Sequence, residues 1–528
     1  MHSSILSSDE NSVSTRFHND SLLLYNHDYS ISIFSEQQVL NYQIHDMYQT
    51  ISKGIIGGKD YIGMTSNSGV SYDIGNLKSG ESKIFTLFIL MNENRKLESQ
   101  EIIENKIDKI KKIDVNKKLQ EISKYWKKYL QDHIKHDTDN MGDKIRTIYK
   151  RSILLFPLLT NKKTGAIIAA PEIDEGKKYS GGYSYCWPRD AVFIAKALDL
   201  IGMEQDATNF YLNFCKSTQS KNGMWEQRFY TNGNLAPCWG YQIDETASVV
   251  YGIYEHYRVI KDIEFLKHTV KMCEMATKFL CRYIENVLQI EEKDIVKKEI
   301  QEKYSGKEKI EKHLSYDLWE MNEGIHLYSL SSIYAAFNAL INIEEELQKN
   351  DNANNRIKQE ITLNMKIKLE SYKDKIKNYI IKNFYDEKQK IFYRNLNDKK
   401  MDISILGSTV PFNVFLPNEK TITNTAQKIG MTLRTYTGGY LRFEDDHYRG
   451  GNCPWVISTL WMALYYIEIG NIKEASECLN FVINSASSNG LLSEQVDNSL
   501  MQPSWVLGLG WSHAMFIIVL NALIDKEM

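Results

Sequence analysis

The stretch GGYSYCWPRD, residues Gly181–Asp190, shows how most of this chain is built. It is a loop rich in glycine and aromatic residues that runs into a helix, with Pro188 at the first helical position, where proline is favoured. From about residue 140 onward, apolar residues recur at helical spacing in roughly twelve segments. Long loops rich in Trp, Gly and acidic residues alternate between these segments with short links such as Gly470-Asn471.

This alternation predicts a mainly α fold, an (α/α)6 barrel, in which the long loops gather at one end. A less specific helical solenoid is the alternative that the helix pattern alone leaves open. The predicted helices cover residues 140–160, 188–202, 204–218, 243–259, 262–290, 323–348, 354–382, 402–413, 419–431, 452–469, 471–485 and 504–524.

The first part of the chain has a different texture. Residues 1–112 carry β-branched and aromatic runs separated by glycine turns, and they predict strands at 21–34 and a buried strand at 82–90. Helical spacing of apolar residues then predicts a linker helix within 113–138, followed by the barrel over 139–528. Residues 291–313, dense in Lys and Glu, are predicted to be an exposed helical excursion without function.

Composition excludes several classes of protein. Lys and Arg number 64 against 67 Asp and Glu, so the surface is not basic enough to favour a nucleic acid or an anionic membrane as partner. No apolar run is long enough for a membrane span, and the polar N-terminus lacks the apolar core of a signal peptide. The seven cysteines form no C-x-x-C pair and are odd in number, which favours a reduced, cytoplasmic protein.

No cofactor or metal is predicted. The sequence has no Walker loop, no Rossmann fingerprint and no HExxH motif. Asp137-x-Asp139 with Gly142 is similar to the start of a calcium loop. Met141 stands at a ligand position and no acid closes the loop, so we reject a calcium site there.

Two acids stand out as candidates for chemistry. Glu320 ends the stretch Ser315–Glu320, directly after Trp319, and Glu494 lies far downstream in a similar loop. Hydrolysis of a glycosidic bond needs such a pair, because one carboxyl protonates the leaving oxygen and the other activates water or attacks. Taken singly, each acid could equally be a first-turn helix residue or an exposed loop residue.

Further polar clusters occupy the other long loops. Arg189 and Asp190 could hold adjacent sugar hydroxyls or could form a structural ion pair at the start of a helix. Glu245, which begins another helix, could simply be favoured by the helix dipole. Arg442 lies among acids and could be a ligand clamp or a paired charge. Clusters of this kind span Trp225–Gln227, Gln242–Glu245 and Gly438–Trp455.

Taken together, these loops resemble glycoside hydrolase family 15, the glucoamylase-like enzymes, and most closely their bacterial branch. The resemblance covers about residues 115–528 and rests on an ordered set of five motifs. They are Tyr183–Ala191, Gln242–Glu245, Asp317–Glu320, Arg442–Trp455, and Ser493–Gln495 followed by Leu509–Ala514.

The resemblance implies a role for each matching residue. Glu320 corresponds to the general acid and Glu494 to the general base that activates water. Arg189 and Asp190 correspond to the pair that grips the non-reducing-end sugar. The remaining implied subsite residues are Tyr185, Trp187, Trp225, Trp319, Arg442 and Trp455.

These roles set physical requirements. Inversion needs room for a water molecule, so the two carboxyl groups should stand roughly 6.5–9.5 Å apart. Glu320 must be protonated near neutral pH, which burial beside Trp319 favours. Glu494 must be ionised, which a polar, hydrogen-bonded loop favours. The resemblance therefore implies an inverting, exo-acting enzyme that releases glucose from α-glucans or maltooligosaccharides.

Two departures from the family pattern bear on this expectation. Many family members have a second acid directly after the general acid, but here that position is Met321 and the next acid is Glu323. Residues 1–112 also match only the later part of the larger β-sandwich of bacterial relatives, so we expect a short, truncated sandwich. Two other functions are weighed: a phosphorylase of the same fold, against which Glu494 argues, and a sugar-binding protein with weak catalysis.

Overall fold

The protein is described here by a computed structural model covering residues 14–25, 29–58, 60–61, 67–93, 100–136, 141–173, 181–289, 314–350 and 356–527. The chain divides into two compact units, Met1–Tyr125 and Trp126–Met528. None of the described helices is long and apolar enough to cross a bilayer. The predicted excursion at 291–313 and the rejected calcium loop at 137–139 lie outside the described residues.

The first unit is built around a four-stranded antiparallel sheet. The middle strands are apolar on both faces: Leu22 and Leu24 pack on one side, while Leu23 and Phe34 pack on the other against the helix that carries Ile107. The sheet order is β1 (Ser14–His18), β2 (Ser21–Tyr25), β3 (Tyr29–Phe34) and β6 (Phe88–Glu93); β4 (Asn41–Ile44) pairs separately with β5 (Ser68–Ser71), and the helices are α1 (Met47–Ile51) and α2 (Gln100–Lys111).

The buried strand predicted at 82–90 is wrong in its first half. Residues 82–87 form no strand, and the Ile84 side chain is 89% exposed. The register explains this: Phe88 pairs with Phe34, and β3 ends at Phe34, so the residues before Phe88 have no strand to pair with. Strand pairing, which the local pattern does not contain, decides where β6 begins.

A single helix, α3 (Val115–His133), occupies most of the predicted linker. None of its residues is buried, so its amphipathic pattern alone made it predictable. The second unit then contains α4 (Asp143–Leu159), α5 (Pro188–Leu200), α6 (Glu204–Asn209), α7 (Lys216–Thr218), α8 (Ile243–Ile260), α9 (Ile263–Val287), α10 (Leu327–Lys349), α11 (Arg356–Phe384), α12 (Lys420–Leu433), α13 (Val456–Glu468), α14 (Ile472–Ser485) and α15 (Gly510–Glu527).

Six of the helical segments form a closed inner ring. In order around it, α5, α8, α10, the 3-10 helix Ile403–Ser408, α13 and α15 each contact the next, and α15 packs against α5. The inner helices are apolar on nearly every side, as buried helices must be. Outside the ring lie α4, α6 with α7, α9, α11, α12 and α14. This is the predicted (α/α)6 barrel, and ring closure excludes the open solenoid.

Two predicted helices have a different local form. The segment 402–413 contains only a short 3-10 helix, Ile403–Ser408. The segment 204–218 contains a π-helical turn at Phe210–Cys215 between α6 and α7. A π turn inserts one residue without disturbing the apolar face, so apolar periodicity does not reveal it.

The barrel places the long loops together. Each inner helix is followed by an outer helix that carries the chain back, so the loops entering the inner helices share one end of the ring. Short hairpins shape these loops. They are β7 (Ser315–Tyr316) with β8 (Glu323–Gly324), β9 (Tyr385–Asp386) with β10 (Ile391–Phe392), and β11 (Ser493–Val496) with β12 (Pro503–Leu507).

Candidate active site

Glu320 lies in a tight turn between β7 and β8. The Asp317 carboxylate holds the turn by accepting from the backbone N–H of Met321 (2.8 Å) and of Asn322 (3.3 Å). The turn forces Glu320 itself into the left-handed region, at φ +62°, an unusual conformation for a residue with a side chain. Asp317 therefore fixes the direction in which the Glu320 carboxyl points.

The Glu320 carboxyl is largely enclosed, with 16% of its side chain exposed. The Trp187 indole N–H donates to its Oε1 at 2.6 Å, and the Arg189 guanidinium lies 3.9 Å from the same oxygen. Burial raises the pKa of Glu320 to about 7, although Arg189, Arg228 and the Trp187 hydrogen bond oppose the shift. The carboxyl is thus partly protonated at neutral pH, as the sequence analysis expected.

Glu494 lies on β11 at a bulge opposite β12, and it is 5% exposed. The Tyr183 hydroxyl donates to its Oε1 at 2.9 Å, while no described residue hydrogen-bonds its Oε2. Burial raises the pKa of Glu494 to about 8, and the charge of Arg442 and the Tyr183 hydrogen bond only partly offset this. Burial thus opposes ionisation of Glu494 while Arg442 and Tyr183 favour it, and the expectation that a polar loop keeps Glu494 ionised stays a prediction.

Arg189 is enclosed by carboxylates at the start of α5. Its guanidinium lies 3.0 Å from both Asp244 and Glu245 and 3.2 Å from Asp190, and its backbone N–H donates to Glu245 at 2.6 Å. Burial raises the pKa of all three carboxyl groups despite the cation among them. Asp244 and Glu245 thus hold Arg189 in place, while one edge of the Arg189 guanidinium faces the Glu320 carboxyl.

Arg442 is clamped in a similar way beside Glu494. Its guanidinium makes two hydrogen bonds of 2.8 Å to Asp446 and lies 4.0 Å from the centre of the Trp455 ring. A guanidinium held between a carboxylate and an aromatic face is both oriented and desolvated. Arg442 therefore presents a fixed positive charge to Glu494 rather than a mobile side chain.

Trp319, next to Glu320, is held from behind. Its indole N–H lies 3.0 and 3.1 Å from the two oxygens of Asp402, which is buried at the start of the 3-10 helix. Its ring lies 6.0 Å from that of Trp455 and within 5.5 Å of the Arg442 guanidinium. Trp319 and Trp455 together form an aromatic wall on the Glu494 side of the site.

A second aromatic group lies on the Glu320 side. The Arg228 guanidinium stacks within 4.6 Å of the Tyr185 and Trp239 rings and 5.1 Å from Trp187. The Trp239 ring is 49% exposed, so a flat apolar surface faces solvent beside the acid. The predicted residues Tyr185 and Trp187 thus belong to a platform that Arg228 and Trp239 complete.

Trp225 does not line the site. Its side chain is 1% exposed, and its indole N–H donates to the Cys215 carbonyl at 2.9 Å within the barrel core. The prediction that it forms a subsite wall is wrong. The chain turns back toward the site at Gln227 and Arg228. The Trp225–Gln227 motif therefore lies near the site, although the Trp225 side chain itself faces the core.

The two carboxyl groups belong to one connected cluster. The Tyr183 ring lies 6.1 Å from that of Trp187, so the residue that donates to Glu494 touches the residue that donates to Glu320. The charge of Asp190 also acts on both carboxyl groups. These contacts therefore join nine of the ten predicted site residues, all except Trp225, into one cluster.

Sequence reasoning did not assign four residues that shape this space: Tyr183, Arg228, Asp317 and Asp446. Asp317 carried a usable signal, since Asp commonly accepts from backbone N–H groups a few residues on in a turn. Tyr183 stands within the first motif. Arg228 and Asp446 carried no local signal, because their roles depend on aromatic rings and an arginine brought close by folding.

Met321 directly follows Glu320 in the turn, so no carboxylate stands at this position. Its side chain is 44% exposed, and its backbone N–H donates to the Asp317 carboxylate. Among the described residues, no group of three or more His, Cys, Asp or Glu side chains could hold a metal ion.

Comparison with known proteins identifies the family. The family model for glycosyl hydrolases family 15 matches residues 143–521. The chain is 27% identical to an uncharacterised glycosyl hydrolase of Methanocaldococcus jannaschii over 94% of this chain and 76% of that protein. It is 24% identical to a trehalase of Thermoplasma volcanium, over 72% of this chain but only 58% of that protein.

A solved structure supports the fold. A bacterial glucoamylase determined in complex with acarbose matches with a TM-score of 0.69 and 18% identity, covering 98% of this chain and 74% of that chain. At this identity the likeness establishes the glucoamylase-like (α/α)6 fold, and nothing finer.

Proposed function

Because this chain belongs to glycosyl hydrolases family 15, and is therefore a glycoside hydrolase, we propose that it is inverting and exo-acting and releases glucose from α-glucans or maltooligosaccharides. One observation carries the proposal: two enclosed carboxyl groups, Glu320 and Glu494, on separate loops of one cluster, each held by a single aromatic donor. An acid and a base acting on opposite faces of a sugar need this arrangement.

Glu320 is suited to be the general acid. Its Oε1 accepts the Trp187 N–H, so a proton on this carboxyl belongs on Oε2. A pKa of about 7 keeps that proton available at neutral pH, and the low local dielectric strengthens its transfer to a leaving oxygen. Trp187 thereby selects the oxygen that carries the proton.

Glu494 is suited to be the general base. Tyr183 occupies Oε1, and Oε2 makes no hydrogen bond to the described residues, so Oε2 is the atom that can accept a proton from water. We expect a water molecule between Oε2 and the anomeric carbon, with the carboxyl groups roughly 6.5–9.5 Å apart.

The pKa values of the pair suit proton transfer near neutral pH. The reaction needs Glu320 protonated and Glu494 ionised, and burial raises the pKa of Glu320 to about 7 and that of Glu494 to about 8. Both carboxyl groups therefore change protonation close to neutral pH, where a general acid and a general base are most effective.

We attribute exo-action to a closed end of the site. This end is a buried cluster of charged side chains: Arg189, Asp190, Asp244 and Glu245. A sugar chain cannot pass through the cluster, but its polar atoms can hold the hydroxyls of a terminal sugar. We assign terminal-sugar binding to Asp190 and the Arg189 guanidinium. Tyr185, Trp187, Trp319, Arg442 and Trp455 form the walls.

Trehalose is the second substrate candidate. A trehalase is among the relatives, and Met321 replaces the acid that many family members place beside the leaving sugar. A glucose-release screen over maltose, maltotriose, isomaltose, trehalose, dextran and starch tests both candidates. Release only from trehalose would overturn the maltooligosaccharide assignment, and release of internal fragments from starch would overturn exo-action.

Proton NMR of fresh hydrolysate tests inversion. An α-linked substrate should give β-glucose first, and α-glucose appearing first would overturn the inverting mechanism. Glucose 1-phosphate formed in phosphate buffer would instead support the phosphorylase alternative. Sugar binding without any release would support the binding-protein alternative.

We also propose that the enzyme works in a reducing, cytoplasmic compartment. All seven cysteines are unpaired, and five of them are buried, which suits a compartment that keeps thiols reduced. Cell fractionation with an antibody to the chain tests this, and recovery in the extracellular fraction would contradict it.

A further inference from the structure

A second depression lies at the end of the barrel opposite to Glu320 and Glu494. The candidate active site uses the first turns of the inner helices and the loops before them, whereas this depression is lined by their middle and last turns, including Lys196 on α5, Arg258 on α8 and Glu468 on α13. Glu245 and Arg258 mark the two ends of α8, and at about 1.5 Å per residue they are about 20 Å apart. The depression is therefore separate from the catalytic cluster.

The depression has two connected parts. An axial cavity of about 210 Å³ runs up between the inner helices and is mainly apolar, with Phe193, Phe412 and Trp461 in its wall. An outer groove of about 780 Å³ opens beside it and is mainly polar. Both parts share the wall formed by Lys196, Glu255 and residues 410–412. The volume of the groove lies within the range of roughly 300–1,000 Å³ usual for small-molecule sites.

The groove presents tyrosines and amides together. Tyr251, Tyr254 and Tyr334 are half-buried, so each offers part of a ring and a hydroxyl group. Asn338 and Asn342 follow Tyr334 on α10 at helical spacing, which places them on one face of that helix. The Asn338 oxygen already accepts from Lys373 Nζ at 2.9 Å, and the same ammonium lies 5.1 Å from the Tyr334 ring centre, so Asn338 offers its N–H groups and Tyr334 its other ring face. Amide groups pair with neighbouring sugar hydroxyls, and flat rings pack against apolar sugar faces.

The charges of the groove balance. Two cations, Lys196 and Arg258, stand beside two carboxylates, Glu255 and Glu468. Glu255 lies between both cations, 2.9 Å from Arg258 and 3.8 Å from Lys196. This arrangement favours a neutral polar ligand over a phosphate, a nucleotide or an organic cation, each of which would leave charge uncompensated.

We infer that the outer groove is a non-catalytic site for a short neutral saccharide of about two or three sugar units. The sugar hydroxyls would pair with Asn338, Asn342 and the Glu255–Arg258 ion pair, and the sugar faces would lie against Tyr254 and Tyr334. The choice of a glucan-type saccharide rests on the proposed function; the choice of a neutral polyhydroxylated ligand rests on the groove alone.

Calorimetric titration with maltotriose tests this inference. The full-length Glu320→Gln protein is used so that hydrolysis does not consume the ligand. Two saccharides should bind per chain, one in the catalytic cluster and one in the groove. Asn342→Ala, added to Glu320→Gln, should weaken only the groove site, by about tenfold or more, which corresponds to the loss of one well-formed polar interaction.

The variants are chosen to separate binding from folding. Tyr334→Ala is the second groove variant and should act in the same direction by removing a ring face. Lys349→Ala is the matched control, because it changes an exposed residue of the same helix outside the groove. Each variant on the otherwise unchanged chain should release glucose at the parental rate, which shows that the barrel remains folded.

Each outcome bears on the inference. A stoichiometry that falls from two to one in both groove variants, but not in the control, supports it. If the Glu320→Gln protein binds one saccharide and the groove variants also bind one, the inference is overturned. If the Glu320→Gln protein binds one saccharide and the groove variants bind none, the groove is supported and the proposed catalytic site is contradicted. The two failures are therefore distinguishable.

Discussion

The Glu320 turn and the Glu494 strand each hold a buried carboxyl group, but beside different numbers of arginine side chains. Both bury a carboxyl group, and both offer one aromatic donor to one of its oxygens. Glu320 faces two guanidinium groups, of Arg189 and Arg228, and its pKa rises to about 7. Glu494 faces one, of Arg442, and its pKa rises to about 8. The comparison teaches that burial sets the direction of both pKa shifts, while the neighbouring guanidinium groups oppose it at each carboxyl.

The largest effect should come from removing either carboxyl group. Glu320→Gln and Glu494→Gln should each lower kcat for maltose by at least about a hundredfold, because acid or base catalysis is lost. Glu323→Gln and Asp497→Asn are matched controls, since each changes a nearby acid outside the proposed pair. Full activity in either main variant would refute the role assigned to that residue.

Leaving-group dependence distinguishes the two roles. Glu320→Gln should retain much more activity on 4-nitrophenyl α-glucoside than on maltose, because nitrophenolate departs without a proton. Glu494→Gln should lose activity on both substrates, because water activation is needed in each case. The opposite pattern would exchange the acid and the base. Initial rates on the two substrates provide the measurement.

The pH profile tests whether both carboxyl groups titrate near neutral pH. Since kcat/KM reports the free enzyme, it should be bell-shaped, falling below about pH 7 and above about pH 8. Below pH 7 the population of ionised Glu494 declines, and above pH 8 protonated Glu320 declines. A profile with its maximum near pH 5 would show that Glu494 is ionised more readily than its burial implies.

The two aromatic donors should move different limbs of that profile. Trp187→Phe removes a hydrogen bond that favours ionised Glu320, so it should raise the pKa of that carboxyl and move the alkaline limb to higher pH. Tyr183→Phe should raise the pKa of Glu494, move the acidic limb to higher pH and lower kcat/KM by about tenfold or less. If both variants moved the same limb, the separation of the two carboxyl environments would be contradicted.

The smallest effect should come from Met321→Glu. The side chain is 44% exposed, so the melting temperature should change by no more than about 2 °C, as expected for a surface substitution. The new carboxylate stands beside the acid, and it should alter the ratio of kcat/KM for maltose to that for trehalose by a few fold. Met321→Gln is the uncharged control. An unchanged ratio in both variants would show that this position does not contact the leaving sugar.

Local sequence patterns were sufficient for much of the fold. Helical spacing located the segments of the barrel, and Pro188 marked the start of α5 to the residue. The same patterns failed where partners decide the structure. The β6 strand begins at Phe88 because β3 ends opposite it, and the helix within the segment 402–413 ends at Ser408 although apolar residues continue.

The site was predictable in its residue types and less so in its contacts. Motif order identified Glu320, Glu494, Arg189 and Arg442, because chemistry at a loop requires particular side chains. It misplaced Trp225, whose large apolar side chain suits a core as well as a binding wall. Only the structure showed that Arg189 is held by Asp244 and Glu245.

The sequence by itself determined a helical barrel with acids in its long loops, since periodicity and residue chemistry are local properties. The tertiary structure decided which oxygen of each carboxyl group lacks an aromatic donor, the raised pKa of both groups, and the presence of a polar groove at the far end of the barrel. These properties depend on distances between residues remote in the chain and on the exclusion of water, neither of which a linear pattern contains.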